Sequence, residues 1–193
     1  MFMIMQSGKV GRKFLVLTRR GSGFNTLAAL RGKDIIQQDI ASTGPGKVWL
    51  ETRLLSEKLG TPATFFGDVE SVIKPTTAVL PVFFGKKAAC VVDEASFDLM
   101  TELNPQVGQQ LQVVAMSDAL ANPVVCLRKD GWPSAREKSV TLRSLGELHL
   151  NPSGQQICTL FKIDRMVPFE DSQLDTIRKL QATCESLRKE RQP

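Results

Sequence analysis

Three places in the sequence carry residue types suited to holding an anion or an amine. Ser42-Thr43-Gly44 follows the apolar run DIIQQD (34–39) and precedes a helical pattern at 47–60. A helix start presents unpaired N–H groups and partial positive charge, so this corner suits an oxyanion, and two hydroxyls add donors. The same residue types also cap helices with no ligand involved. Gly44 and Gly46 give a ligand close access to the backbone, and Pro45 fits a first helical turn. The GPGK run (44–47) lacks the GxxxxGK[ST] spacing of a nucleotide P-loop. Thr76-Thr77 begins a further helical pattern, where a cap or a helix-face residue is equally at home. Asp93-Glu94 ends the apolar run AACVV (88–92); Asp93 suits a ligand amine or an N-cap. Each signal is weak singly. All three follow a strand's carboxyl end, which in an open α/β sheet puts them on one edge.

Catalytic machinery is missing from the pattern. The only histidine, His149, has Glu147 as its sole acidic neighbour in sequence. No GxSxG elbow, Cys/His couple or carboxylate pair for a metal emerges. The cysteines (Cys90, Cys126, Cys158, Cys184) form no CxxC pair, so a structural zinc site is not expected. Cys90 and Cys126 lie in the apolar runs AACVV and PVVCL and read as small buried hydrophobes, although an oxidising compartment would permit bridges. No enzyme, metal or cofactor is expected.

These residues sit in a chain of 193 residues, 42% hydrophobic and 23% charged, enough for one large domain or two small lobes. That apolar content excludes disorder as the main state, and no apolar stretch is long enough to span a bilayer. The net charge of +5 comes from largely interspersed charges, Tyr is absent and aromatics are 6%. Nucleic-acid binding is not expected on that surface. The N-terminus MFMIMQSGKVGRK does not read as a signal peptide: its apolar stretch is short and no basic residue precedes it. A cytosolic chain and a mature or truncated piece both fit.

The elements that must position the candidate residues follow from apolar periodicity. Strands are predicted at 14–18, 34–39, 63–66, 88–92, 111–116 and 124–128. Helices are predicted near 47–60, 73–84 (kinked by Pro81), 93–105, 134–148, 153–161 and 171–189. Strand and helix alternate from 34 to 116, which with right-handed crossovers gives a parallel sheet covered on both faces. Helices alone are predicted after 130, so two bodies are expected.

In order and spacing, five stretches resemble the phosphate/phosphonate-type substrate-binding proteins of ABC importers. They are FLVLTRRGSGFNTLAALRGKDI (14–35), ASTGPGKVWLETRLL (41–55), TTAVLPVFFGKKAACVVDEASFDLMTELNPQVG (76–108), LQVVAMSDALANPVVCLRKD (111–130) and ICTLFKIDRMVPFEDSQLDTI (157–177). The resemblance implies an α/β, type II periplasmic-binding fold: a lobe with a mainly parallel sheet flanked by helices, plus C-terminal helices of an incomplete second lobe. Residues 1–19 would then be an N-terminal segment and first hinge strand, 20–116 the ligand-binding lobe, and 117–193 the return hinge and the remaining helices. FLVLT and VVCLRKD would be the two crossings, and the N-terminal part of lobe one would be absent.

The same resemblance implies a non-catalytic, periplasmic module that closes on a small oxyanion and serves ABC importer membrane subunits or a sensor. Ser42 and Thr43 match the family's anion-gripping helix start, with Gly44 where a third hydroxyl can occur. Thr76 falls where the family has a histidine, and Asn122 where an acidic residue receives a ligand amine. Loss of that carboxylate favours a simpler oxyanion, or a different ligand, over an aminophosphonate. The competing expectation is a ligand-free scaffold or partner-binding module that keeps the fold. The helices at 134–189 would expose an apolar face, giving a homodimer.

Overall fold

The structure, a computed structural model, describes residues 1–39 and 44–191. In chain order the strands are β1 (Phe2–Met5), β2 (Gly11–Arg12), β3 (Phe14–Arg19), β4 (Ile35–Gln38), β5 (Val69–Val72), β6 (Ala89–Asp93), β7 (Leu111–Met116), β8 (Leu120–Ala121), β9 (Val124–Val125) and β10 (Arg165–Pro168). The helices are α1 (Pro45–Ser56), α2 (Pro62–Phe65), α3 (Pro75–Phe83), α4 (Glu94–Leu103), α5 (Pro105–Gln110), α6 (Ala135–Gly146), α7 (Pro152–Phe161) and α8 (Asp175–Lys189). The chain divides into two compact units: Met1–Arg12 with Ala121–Asp175, and Lys13–Leu120 with Thr176–Pro193.

The larger unit is built on a five-stranded sheet of order β5-β4-β6-β3-β7. β4 pairs in parallel with β5 and β6, while β3 runs antiparallel to both β6 and β7. β3 is thus the one reversed strand, and the sheet is mixed but mainly parallel. Alternation of strand and helix accounts for β4 to β7. It says nothing of β3, because an apolar run reads the same in either direction and its partners set its sense. FLVLT, expected as a hinge crossing, lies inside this sheet, directly after the boundary between the two units at Arg12 and Lys13.

Apolar residues fill both faces of β3, β4 and β6 with strand periodicity. Phe14, Val16, Ile35, Ala89 and Val91 join one core with Trp49, Leu50 and Leu54 of α1. Leu15, Leu17, Ile36, Cys90 and Val92 join the other with Ala78, Val79 and Val82 of α3 and Met100 of α4. Each fully buried side chain of this kind contributes about 1.5–3 kcal/mol. α8 lays Ile177 and Leu180 against the first core and carries the bidentate pair of Arg188 with Glu51, Nε–Oε1 2.7 Å and Nη2–Oε2 2.6 Å. The hydrogen-bonded Glu51 carboxylate holds the Arg188 pKa further above its usual value. The C-terminal helix therefore belongs to the larger unit, in contrast to its expected place among helices of the other lobe.

Two local expectations give way. ATFF (63–66) is not a strand: Thr61-Pro62 opens the short helix α2, with the Thr61 N–H donating to Thr64 Oγ1 at 3.0 Å. The third strand is VESV (69–72), an edge strand whose partly exposed residues give no apolar run. In α3, Pro81 is tolerated inside the helix, which continues to Phe83.

The smaller unit holds an antiparallel sheet of order β10-β1-β9, with Met3 opposite Val167 and Val124. β10 (RMVP) was not expected after residue 128, because no apolar run marks it. The predicted strand 124–128 shortens to Val124–Val125. Helices α6 and α7 lie where periodicity put them.

All four cysteines are free; Cys90, Cys158 and Cys184 are buried, whereas Cys126 is exposed, which corrects its reading as a core residue. Burial alone pushes the Cys90 thiol far up, away from the reactive thiolate. Native protein should therefore take a thiol reagent at Cys126 alone, and in denaturant at every cysteine. Mass spectrometry of the labelled protein checks this; rapid native labelling at Cys90 would contradict the burial.

Candidate functional site

In the larger unit the register fixes which residues share an edge. β4, β5, β6 and β7 run the same way, so Asp39, Val72, Asp93 and Met116 lie at one carboxyl edge. Helices α1, α3 and α4 follow β4, β5 and β6 and begin at that edge. This is the edge where an open α/β sheet holds ligands.

The three helix starts differ in how their own N-caps serve them. α1 has Gly44 as N-cap (φ −62°, ψ 151°) and Pro45 at its first position, so no side chain of the cap reaches its amides. Ser42 and Thr43 lie outside the described residues. On either side of them, Asp39 and Lys47 close an ion pair at 2.7 Å, tying the end of β4 to the first turn of α1. Nothing in the spacing of these two residues announced that clip.

α3 has Lys74 as N-cap, again without a side-chain capping bond, and Pro75 at its first position. Thr76 and Thr77 are exposed in this first turn, and the Thr77 N–H donates to Lys74 O at 3.1 Å. α4 is different. Its N-cap Asp93 is 8% exposed and accepts from the Ser96 N–H at 2.9 Å and from the Ser96 hydroxyl at 2.7 Å. Both carboxylate oxygens are thus engaged in capping. Glu94 donates its N–H to Lys13 O at 2.9 Å and places its carboxylate 4.0 Å from Lys13 Nζ.

Gly46 has a packing duty that sequence reasoning missed. A Cβ there would lie 2.7 Å from the Phe14 ring, so the glycine lets α1 settle on β3. Its small size serves the core, whereas close access of a ligand was the expectation. The signal was Gly46 lying one helical turn before Leu50, on the buried stripe of α1.

Asn122 belongs to the smaller unit and is 3% exposed. Its Nδ2 donates to Ile4 O and Lys9 O, both at 3.1 Å, and its Oδ1 accepts from Arg12 Nε at 3.1 Å. The amide stitches the N-terminal segment of that unit together. Of the sequence candidates, Gly44, Thr76, Thr77 and Asp93 come together on one sheet edge; Asn122 is placed in the other unit.

The chemistry available on this edge is donation of hydrogen bonds to an anion by main-chain N–H groups and hydroxyls. Among the described residues no group of three or more His, Cys, Asp or Glu is placed to hold a metal ion. No described helix is long and apolar enough to cross a membrane.

Residues 1–174 match a family described as "ABC transporter, phosphonate, periplasmic substrate-binding protein". No curated relative matches the chain. Among solved structures, XAC2383 from Xanthomonas citri bound to ATP aligns at 17% identity and a TM-score of 0.74, covering 99% of this chain and 72% of that one. A binding protein component of an ABC phosphonate transporter from Pseudomonas aeruginosa aligns at 16% identity and TM-score 0.74, covering 97% of this chain and 63% of that one. PhnD1 from Prochlorococcus marinus in complex with methylphosphonate aligns at 12% identity and TM-score 0.62, covering 95% and 71%. At these identities the structural likeness establishes the fold.

Proposed function

This chain belongs to the periplasmic phosphonate substrate-binding family of ABC transporters, a non-catalytic family, and on that premise we propose that it holds a phosphate- or phosphonate-like oxyanion at the carboxyl edge of its larger unit. One observation carries the reading: α1 and α3 begin on that edge with N-caps, Gly44 and Lys74, that offer their amides no side-chain acceptor. An anion there gains from both helix termini, each worth about 0.3–1 kcal/mol, and from charge-assisted hydrogen bonds worth about 1.5–3 kcal/mol each. Ser42 and Thr43 enter through the sequence resemblance, as hydroxyl donors immediately before Gly44. Thr76 and Thr77 supply exposed hydroxyls at the second terminus. Asp93 is committed to its cap and Asn122 to its own unit, which favours a simple oxyanion over a ligand carrying an amine. The solute would be passed to the membrane subunits of an ABC importer or reported to a sensor.

Calorimetric titration with phosphate and with methylphosphonate tests the reading. Saturable heat with one of them supports it; a flat trace into the millimolar range favours the ligand-free scaffold instead.

Self-association is the further part of the proposal. In the smaller unit Val140, Leu150, Leu160 and Phe161 are exposed. A second copy of the chain is the proposed cover. Light scattering should show dimers that Leu160→Asp/Phe161→Asp converts to monomers; a clean wild-type monomer at high concentration would contradict this.

A further inference from the structure

The amino edge of the same sheet carries a second concentration of charge. Because β3 runs against its neighbours, its last residues meet the amino ends of β6 and β7: Thr18 faces Ala89, and Arg19 faces Leu111. The turn after β3 and the turn before β6 border an open cavity of about 480 Å³, lined by Arg19, Arg20, Ser22, Phe24, Lys86 and Lys87 among others. That volume lies in the range of small-ligand sites, about 300–1,000 Å³.

Both turns are held by main-chain bonds. The Ser22 N–H and hydroxyl donate to Arg19 O at 3.2 and 2.6 Å, and the Arg20 N–H donates to Gln110 O at 2.7 Å. The Lys86 N–H donates to Pro81 O at 2.8 Å, and Gly85 makes the turn at φ +71°. The Arg19 guanidinium reaches across to this second turn, since a Cβ on Gly85 would lie 3.1 Å from its Nη1. Two dibasic pairs, Arg19-Arg20 and Lys86-Lys87, therefore line one cavity from segments far apart in sequence. Among the described residues only Lys87 of these four has a carboxylate partner, Glu70 at 3.5 Å. Among the described residues no carboxylate lines the cavity.

Clustered cations, three of these four without a carboxylate partner among the described residues, focus positive potential and draw anions. A single phosphate group would engage one pair, whereas two neighbouring anionic groups would engage both through charge-assisted hydrogen bonds. We propose that this cavity is a second anion site, taking a small molecule with two adjacent phosphoryl groups. The site lies on the edge opposite the starts of α1 and α3, and it stands whether or not those helices bind an oxyanion.

Pyrophosphate, phosphate and sulfate titrations at matched ionic strength, followed by amide NMR at Gly21, Gly23 and Gly85, test the proposal. Pyrophosphate should shift these amides saturably, binding at least ~10-fold more tightly than phosphate because it engages twice the number of charged donors. Arg20→Ala/Lys86→Ala changes two exposed side chains, should leave the melting temperature in place, and should weaken pyrophosphate by at least ~10-fold. Ser42→Ala/Thr43→Ala should leave pyrophosphate binding at these amides unchanged. Shifts that fail to saturate, equal affinity for all three anions, or full binding by the Arg20/Lys86 variant would overturn it.

Discussion

In the double variant Ser42→Ala/Thr43→Ala, methylphosphonate or phosphate should bind about 100-fold more weakly than in the unaltered chain, as each hydrogen bond to a charged group is worth about 1.5–3 kcal/mol. Two such bonds at the low end of that range sum to about 3 kcal/mol, and 1.4 kcal/mol is about tenfold in affinity. The alternative role for these hydroxyls is helix capping, and thermal unfolding of the variant separates the two. The N-cap of α1 is Gly44, which has no side chain with which to cap. The expected signature is lost affinity with an unchanged melting temperature. Asp93→Ala should do the reverse. It removes the acceptor of two bonds from Ser96 and costs about 0.5–2 kcal/mol of stability while leaving oxyanion affinity nearly intact. Unchanged affinity in the Ser42/Thr43 variant would remove those residues from the site.

Gly154→Ala should be the most damaging small substitution in the described chain. Gly154 lies in the first turn of α7, where its N–H donates to the cap Asn151 at 2.8 Å. A Cβ there would overlap Leu148 O and sit 2.7 Å from Leu148 C. Both are backbone atoms and cannot rotate aside. Making room must displace the turn at Leu148–Leu150, which Asn151 Nδ2 also holds through Leu148 O at 3.4 Å. Overpacking of this kind costs about 3 kcal/mol or more, near 10 °C in melting temperature for a chain of this size. Gly146→Ala is the matched control: its Cβ would meet the Phe2 ring at an ordinary 3.6 Å, and alanine is the better helix former. Thermal unfolding by circular dichroism should drop sharply for the first and stay level or rise for the second. Equal midpoints for the two variants would contradict the packing described around Leu148.

The contrast between legible and hidden features follows physical lines. Buried strands announced themselves as apolar runs, because both faces of β3, β4 and β6 are covered. β5 and β10 did not, since the sequences VESV and RMVP are partly exposed and carry charge. The stripe of α8 was readable from Ile177, Leu180 and Cys184. Its address was not, because amphipathicity shows that a face is buried without naming the surface that buries it. At the candidate site, Pro45 was visible as a helix opening for α1, whereas Lys74-Pro75 was not singled out as the start of α3. Their shared edge was expected from the alternation of strand and helix, and the parallel pairing of β4 with β5 and β6 gives it. Gly46 and Asn122 show the limit from the other side: a glycine facing Phe14 and an amide feeding three internal hydrogen bonds have sequence neighbourhoods like those of ligand-contacting residues.

The central claim is that an oxyanion is held by amides at the starts of α1 and α3. Methylphosphonate titrated into isotope-labelled protein, with backbone amide NMR as the readout, tests it most directly. Saturable shifts concentrated at Gly46, Lys47, Thr76 and Thr77, with little change across β1 and α7, are expected. An unshifted carboxyl edge at saturating ligand, or shifts confined to other parts of the chain, would contradict it.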